Sequence, residues 1–177
     1  MRVPAPAAAL RVARALLNVS QQVAAERAKI VQKSLSAAEN SKSVLLETNL
    51  ALIDYYRAQG IVLLGDGVVG DQVRRSGAMW SAPEGPATSA LGDTVFHTEA
   101  TDISFRAARA LLGKEQAEIA ELSNIGVDAV KGLERGRDAG RSYAILRGWY
   151  EEQGVVFTGW GDIATRRFYG VGVRWKS

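Results

Sequence analysis

Making or breaking a covalent bond needs a base, a nucleophile or a metal, and this chain carries few side chains that serve. It has one histidine, His97, and no cysteine. Disulfide frameworks, thiolate zinc sites and cysteine nucleophiles are therefore excluded, and a single histidine forms neither a metal cluster nor a Ser/His/Asp set. The carboxylates are mostly single members of helical charge pairs, and no glycine-rich phosphate loop follows a strand. Gly65-Asp66-Gly67 and Gly159-Trp160-Gly161 read as hairpin turns. The expectation is a protein that is not an enzyme and needs no metal or cofactor. What remains is recognition by hydrogen bonds and charge.

The elements that would position such groups are written twice. A shift of 95 positions lays Arg11-Val-Ala-Arg-Ala-Leu-Leu17 over Arg106-Ala-Ala-Arg-Ala-Leu-Leu112, then Gln21 over Gln116, Glu26 over Glu121, Ile30 over Ile125 and Glu39 over Glu134. After a one-residue deletion the match resumes with Tyr56 over Tyr150 and Gln59-Gly60-Ile61 over Gln153-Gly154-Val155, and it ends with Gly77-Ala-Met-Trp80 over Gly172-Val-Arg-Trp175. Met1 to Asn18, rich in Ala and Arg and without an acid, has the composition of a transit peptide. Its recurrence at 106–112 makes it the expected first helix of a unit instead.

Charge follows the same boundaries. Residues 1–80 carry +4 and 105–177 carry +3, whereas 81–104 hold four acids and no base. The expected organisation is thus unit one (1–80), an acidic connector (81–104) and unit two (105–177). The Pro, Gly and Ser of Ser81-Ala-Pro-Glu-Gly-Pro-Ala-Thr-Ser89 suit a loose surface connector. His97 is expected there as an exposed or half-packed side chain, with Val95-Phe96 packing on a neighbour. At 177 residues and 47% hydrophobic the chain can fill one ordinary domain or two small ones. Its longest clean apolar run, Ile61 to Leu64, is far short of the roughly 20 residues that cross a bilayer. A soluble, cytoplasmic protein with no membrane partner is expected.

Within each unit helices come first and strands last, so the fold class is mainly α with β-hairpins (α+β). Apolar spacing predicts helices at Ala7–Leu17, Gln21–Ala28 with Ser20 as N-cap, Gln32–Glu39 and Val44–Gln59. Unit two repeats them from Arg106 to Leu112, then at Gln116–Ser123, Val127–Glu134 and Gly140–Gln153, with each fourth helix stopped at Gly60 or Gly154. Strands are predicted at Ile61–Leu64, Val73–Trp80, Val155–Thr158 and Phe168–Trp175. A lone hairpin is marginal in water. Val62, Leu64, Val155, Phe157 and the Trp80/Trp175 pair are therefore expected to join the hairpins across a pseudo-two-fold axis, within one chain or between two.

The pattern Leu17-x-x-Ser-Gln21-x-x-x-Ala25-x-x-x-Lys29-Ile30, followed by Leu35-x-x-x-Glu39, resembles the helix–turn–helix of the Xre, or lambda-repressor/Cro-like, family. Unit two shows it more plainly in Leu112-Gly-x-x-Gln116-x-x-Ile119-Ala120-Glu-x-x-Asn124-Ile125, then Val130-x-x-Leu133-Glu134-x-Gly136-Arg137. Ala25 and Ala120 are small where two helices would cross closely. Asn124 tolerates a left-handed turn, whereas Lys29 departs from the usual glycine.

The resemblance implies two ion pairs, Arg14 with Glu39 and Arg109 with Glu134, each 25 residues apart and each fixing helix one to helix three. It also implies a sequence-specific DNA-binding transcriptional regulator, whose third helix enters the major groove while the start of the second faces phosphate. By position this selects Gln21, Gln32, Lys33 and Ser36 in unit one, where Gln can pair with adenine and Lys can reach guanine. In unit two it selects Gln116, Val127, Asp128 and Lys131, with Arg135 and Arg137 near backbone phosphates. Asp128 repels phosphate but can accept from cytosine. The third helices differ, so two unlike half-sites are expected, read by one chain or by a homodimer joined through the hairpins. The alternative is an antiactivator or co-regulator that contacts a transcription factor or polymerase subunit, which the modest net charge of +3 and the acidic connector favour.

Overall fold

The computed structural model describes residues 3–67, 70–85, 95–137 and 140–177. Unit one contains α1 (Ala7–Leu17), α2 (Gln21–Arg27), α3 (Gln32–Glu39), α4 (Leu46–Ala58), β1 (Ile61–Asp66) and β2 (Arg74–Trp80). A short strand, β3 (Thr98–Glu99), precedes unit two, which contains α5 (Phe105–Leu112), α6 (Gln116–Ser123), α7 (Val127–Glu134), α8 (Arg141–Glu152), β4 (Val155–Asp162) and β5 (Arg167–Trp175). The fold is mixed: the described residues form eight helices and one antiparallel sheet of five strands.

Local chemistry explains the shared frame. Ser20 accepts from the backbone N–H of Val23 at 3.2 Å, while α6 begins with a reciprocal capping box between Glu115 and Glu118. Both first helices end on a left-handed residue, Asn18 (φ 53°) and Gly113 (φ 66°). The turn before each third helix is left-handed too, at Lys29 (φ 58°) and Asn124 (φ 56°), and each is closed by the same bond, from Ile30 N–H to Ala25 O and from Ile125 N–H to Ala120 O. A lysine therefore serves at the turn where a glycine would be the easier choice. The core repeats with the frame: Leu10, Leu35, Leu52 and Tyr56 are buried in unit one, and Phe105, Val130, Leu146 and Tyr150 in unit two.

The sheet joins the units by a different set of residues from the one expected. Its order is β1-β2-β5-β4, with β3 continuing alongside β5 where β2 ends. The crossing pairs Gly77 with Arg174, Ala78 with Val173 and Met79 with Gly172. Under the 95-residue shift this register maps onto itself, so a pseudo-two-fold axis runs through the Ala78/Val173 pair. Val62 and Leu64 lie on outer strand β1, and Val155 and Phe157 on outer strand β4, so none of them makes the crossing. Trp80 and Trp175 flank opposite ends of the crossing instead of meeting. The second strands can cross because each carries a glycine where the two backbones touch. A Cβ on Gly77 would land on Val173 O and lie 2.5 Å from Arg174 Cα, and one on Gly172 would land on Ala78 O and Met79 Cα.

Of the glycine runs expected to be turns, Gly65-Asp66 and Gly159-Trp160-Gly161 lie in strands, while Gly67 follows the end of β1. Gly65 and Gly159 sit at matching β-bulges, between Leu64 and Asp66 and between Thr158 and Trp160, and Gly159 has φ 113°. The β4–β5 turn comes later, at 163–166. The described ends of the connector are anchored to the sheet and core. Thr98 and Glu99 pair with Tyr169 and Phe168 of β5, Pro83 is buried, and residues 86–94 lie outside the described residues. His97 stacks on Trp80 with ring centroids 3.6 Å apart and contacts Glu99 at 2.8 Å. Val95 is 95% exposed, while Phe96 is half-buried.

The first helices α1 and α5 pack on each other and line the sheet. Among the described residues no helix is long and apolar enough to cross a membrane.

Candidate nucleic-acid interface

Each third helix is held by a buried carboxylate that collects three donors. Glu39 accepts from Arg14 Nε (2.6 Å), Arg14 Nη2 (2.9 Å) and Gln21 Nε2 (2.8 Å). Glu134 accepts from Arg109 Nε (2.5 Å), Arg109 Nη2 (3.2 Å) and Gln116 Nε2 (2.7 Å). Each arginine also donates to the chain just before helix two, Arg14 to Val19 O and Arg109 to Lys114 O. Both ion pairs expected from the resemblance are thus present, and they tie three helices of a unit together. Burial alone would depress the Arg14 and Arg109 pKa values, but hydrogen bonding to Glu39 and Glu134 and their charge outweigh it, so both are raised.

The same geometry changes the role of Gln21 and Gln116. Their side-chain amide N–H groups, expected to face phosphate, are engaged with Glu39 and Glu134, because a carboxylate buried beside one arginine still has lone pairs to satisfy. The backbone amides at the start of each second helix are unaffected by that engagement.

The third-helix tips face outward. Gln32 and Lys33 are exposed, with Ser36 half-buried and its carbonyl and hydroxyl accepting from Asn40 Nδ2. In unit two Asp128, Lys131, Arg135 and Arg137 are exposed and Val127 is 36% exposed. Asp128 lies in the first turn of α7, where a carboxylate suits the positive end of the helix dipole. Comparison of the chain with protein families, with curated proteins and with solved structures gave no match.

Two residues of weight escape the sequence reading. Lys42 is exposed just beyond α3, where its backbone N–H bonds Ala37 O at 3.0 Å, the same bond that Arg137 makes to Gly132 O. Ser41 (φ 57°) and Gly136 (φ 75°) turn the chain identically before them. Extending the 95-residue shift by three residues past Glu39 puts Lys42 over Arg137, so the signal was in the repeat. The other is Arg11. It donates to Ala110 O (2.8 Å) and Leu111 O (3.1 Å) at the end of α5 and to Glu39 O (2.6 Å), riveting unit one to unit two. Among the described residues its repeat partner Arg106 reaches only Glu134 O, at 3.5 Å. Burial, only partly offset by Glu39, lowers the Arg11 pKa.

Among the described residues no three His, Asp or Glu side chains converge as metal ligands do.

Proposed function

We propose that the chain is a DNA-binding transcriptional regulator of the tandem Xre type, in which α3 and α7 enter the major groove of one duplex at two unlike half-sites. The observation that carries this reading is the self-mapping β2–β5 register, which relates two units with exposed third helices by a pseudo-two-fold axis. Two-fold pairing of such helices suits half-sites about 34–36 Å apart or a multiple of that. Gln32-Lys33-Ser34 against Val127-Asp128-Ala129 makes the two arms of the operator differ. Lys42, Arg135 and Arg137 are positioned to meet phosphate beside them. One chain supplies both halves, so a monomer is favoured over a homodimer; a second chain that extended the sheet would add at the outer edge of β1 or β4.

The test is duplex binding at rising salt. Affinity for mixed duplex should fall steeply between about 50 and 200 mM, as released counterions require. Lys33→Glu should abolish sequence-specific binding and leave the fold intact, since the residue is exposed; unchanged affinity would reject the assignment of α3 as the reading helix. Asp128→Ala should leave binding unchanged or improve it, and a large loss would mean that the carboxylate reads a base.

A second reading, action by protein contact as an antiactivator or co-regulator, rests on a difference between the units. Unit one exposes Val31, Leu45 and Leu46 at the starts of α3 and α4. Unit two has Gly126, Gly140 and Arg141 at the matching places. Absence of duplex binding at low salt would favour it.

A further inference from the structure

The segment before α1 crosses the end of unit one as a strap. Asn49, buried in α4, grips it with two hydrogen bonds, accepting from Ala5 N–H at 2.8 Å and donating to Ala5 O at 3.0 Å. Beneath the strap, between α4 and β1, is a hollow of about 560 Å³. Ala9, Ile53, Leu63 and Leu64 give it apolar walls, and Arg57 and Asp71 stand among its lining. Sites of this volume accept small organic molecules and are too narrow for a folded partner.

The duplicate shows that the fold does not require this lining. At the positions matching Ile53 and Arg57 unit two has Arg147 and Glu151, which pair with each other at 3.1 Å along one face of α8. At the position matching Leu64 it has Thr158, whose hydroxyl donates to Gly170 O at 2.9 Å. At these three positions unit two thus has polar groups that are already bonded, although Leu63 is matched by the apolar Phe157. Unit one has apolar walls and a guanidinium with no ion-pair partner among the described residues. Arginine's planar fork suits a carboxylate.

We propose that the hollow under the strap of unit one binds a small amphipathic carboxylate, its apolar body against Ile53 and Leu64 and its carboxylate on Arg57. The site does not depend on the DNA-binding reading and can be tested without DNA.

Anilinonaphthalene sulfonate, an apolar anion, serves as the fluorescent probe on the full chain, with decanoate and decanol as competitors. Probe emission should rise on binding and fall as decanoate displaces it. Ile53→Arg, which installs the residue of unit two, should weaken both ligands at least tenfold. Leu64→Trp, which fills the hollow without adding charge, should do the same and decides the matter if Ile53→Arg fails to fold. Arg57→Gln should weaken decanoate roughly tenfold, the value of a charge-assisted hydrogen bond, and leave decanol unchanged. Binding that survives both Ile53→Arg and Leu64→Trp, no displacement by decanoate, or equal losses of decanoate and decanol in Arg57→Gln would each overturn the proposal.

Discussion

Replacing Gly172 with alanine should pull apart the crossing on which both hairpins lean. The added methyl would land on the carbonyl oxygen of Ala78 and the Cα of Met79, with Met79 Cβ only 2.5 Å away. Comfortable carbon contacts begin near 3.5 Å, so β2 would have to retreat by about an ångström. The atoms struck are mostly backbone, held by β1 on the far side, and cannot swing away as a side chain tip would. Overpacking typically costs about 1–3 kcal/mol, and with backbone as the obstacle the expected loss is about 3 kcal/mol or more. Because the crossing is symmetric, Gly77→Ala should cost a similar amount. The assay is the urea midpoint of the purified variants followed by circular dichroism, taken at unchanged slope so that it reports stability. A Gly172→Ala variant within about 0.5 kcal/mol of the parent, the scatter of ordinary surface changes, would refute the close-approach argument.

Other substitutions should move in directions fixed by their surroundings. Gly148 lies inside α8 with open space where a Cβ would go, so Gly148→Ala should raise stability by about 0.5–1 kcal/mol in the same urea assay. Glu39→Ala leaves Arg14 and Gln21 without their acceptor in a part-buried site and should cost about 3–5 kcal/mol, with Arg14→Ala also destabilising before it affects any ligand. Tyr143 is held protonated by burial and by its bond to Asp102, which raise its pKa from 10.0 to about 12, and burial together with Glu39 or Glu134 raises Tyr56 and Tyr150 further. The unfolded chain loses these protons first, so stability is full below about pH 10 and should fall as pH rises above that value. A urea midpoint that stays level between pH 9 and pH 11 would contradict this.

Much of the architecture was legible because local rules and the repeat agree. Ala7–Leu17, Gln32–Glu39, Gln116–Ser123 and Val127–Glu134 fall within the bounds that apolar spacing and caps set. The strand partners were harder. Alternation in Val62, Leu64, Val155 and Phe157 marks a strand but says nothing about which edge meets which, and the decisive feature was the absence of side chains at Gly77 and Gly172. Gly65 and Gly159 misled for a related reason, since glycine serves a bulge as well as a turn. In the candidate interface, Lys33 and Lys131 were singled out by their place in the motif and Arg135 by its place just past the helix, and all three are exposed. The capture of Gln21 by Glu39 could not be read this way, because it depends on a third helix closing over the first two.

The Ala78/Val173 pair on the pseudo-two-fold axis carries one more implication. In an assembly of two identical chains a residue on such an axis faces its own copy, so every change there is made twice and must suit itself. Here a methyl faces an isopropyl group, a combination unavailable to any symmetric pair. Joining the halves covalently lets each side drift separately, and that freedom extends outward to the unlike tips of α3 and α7.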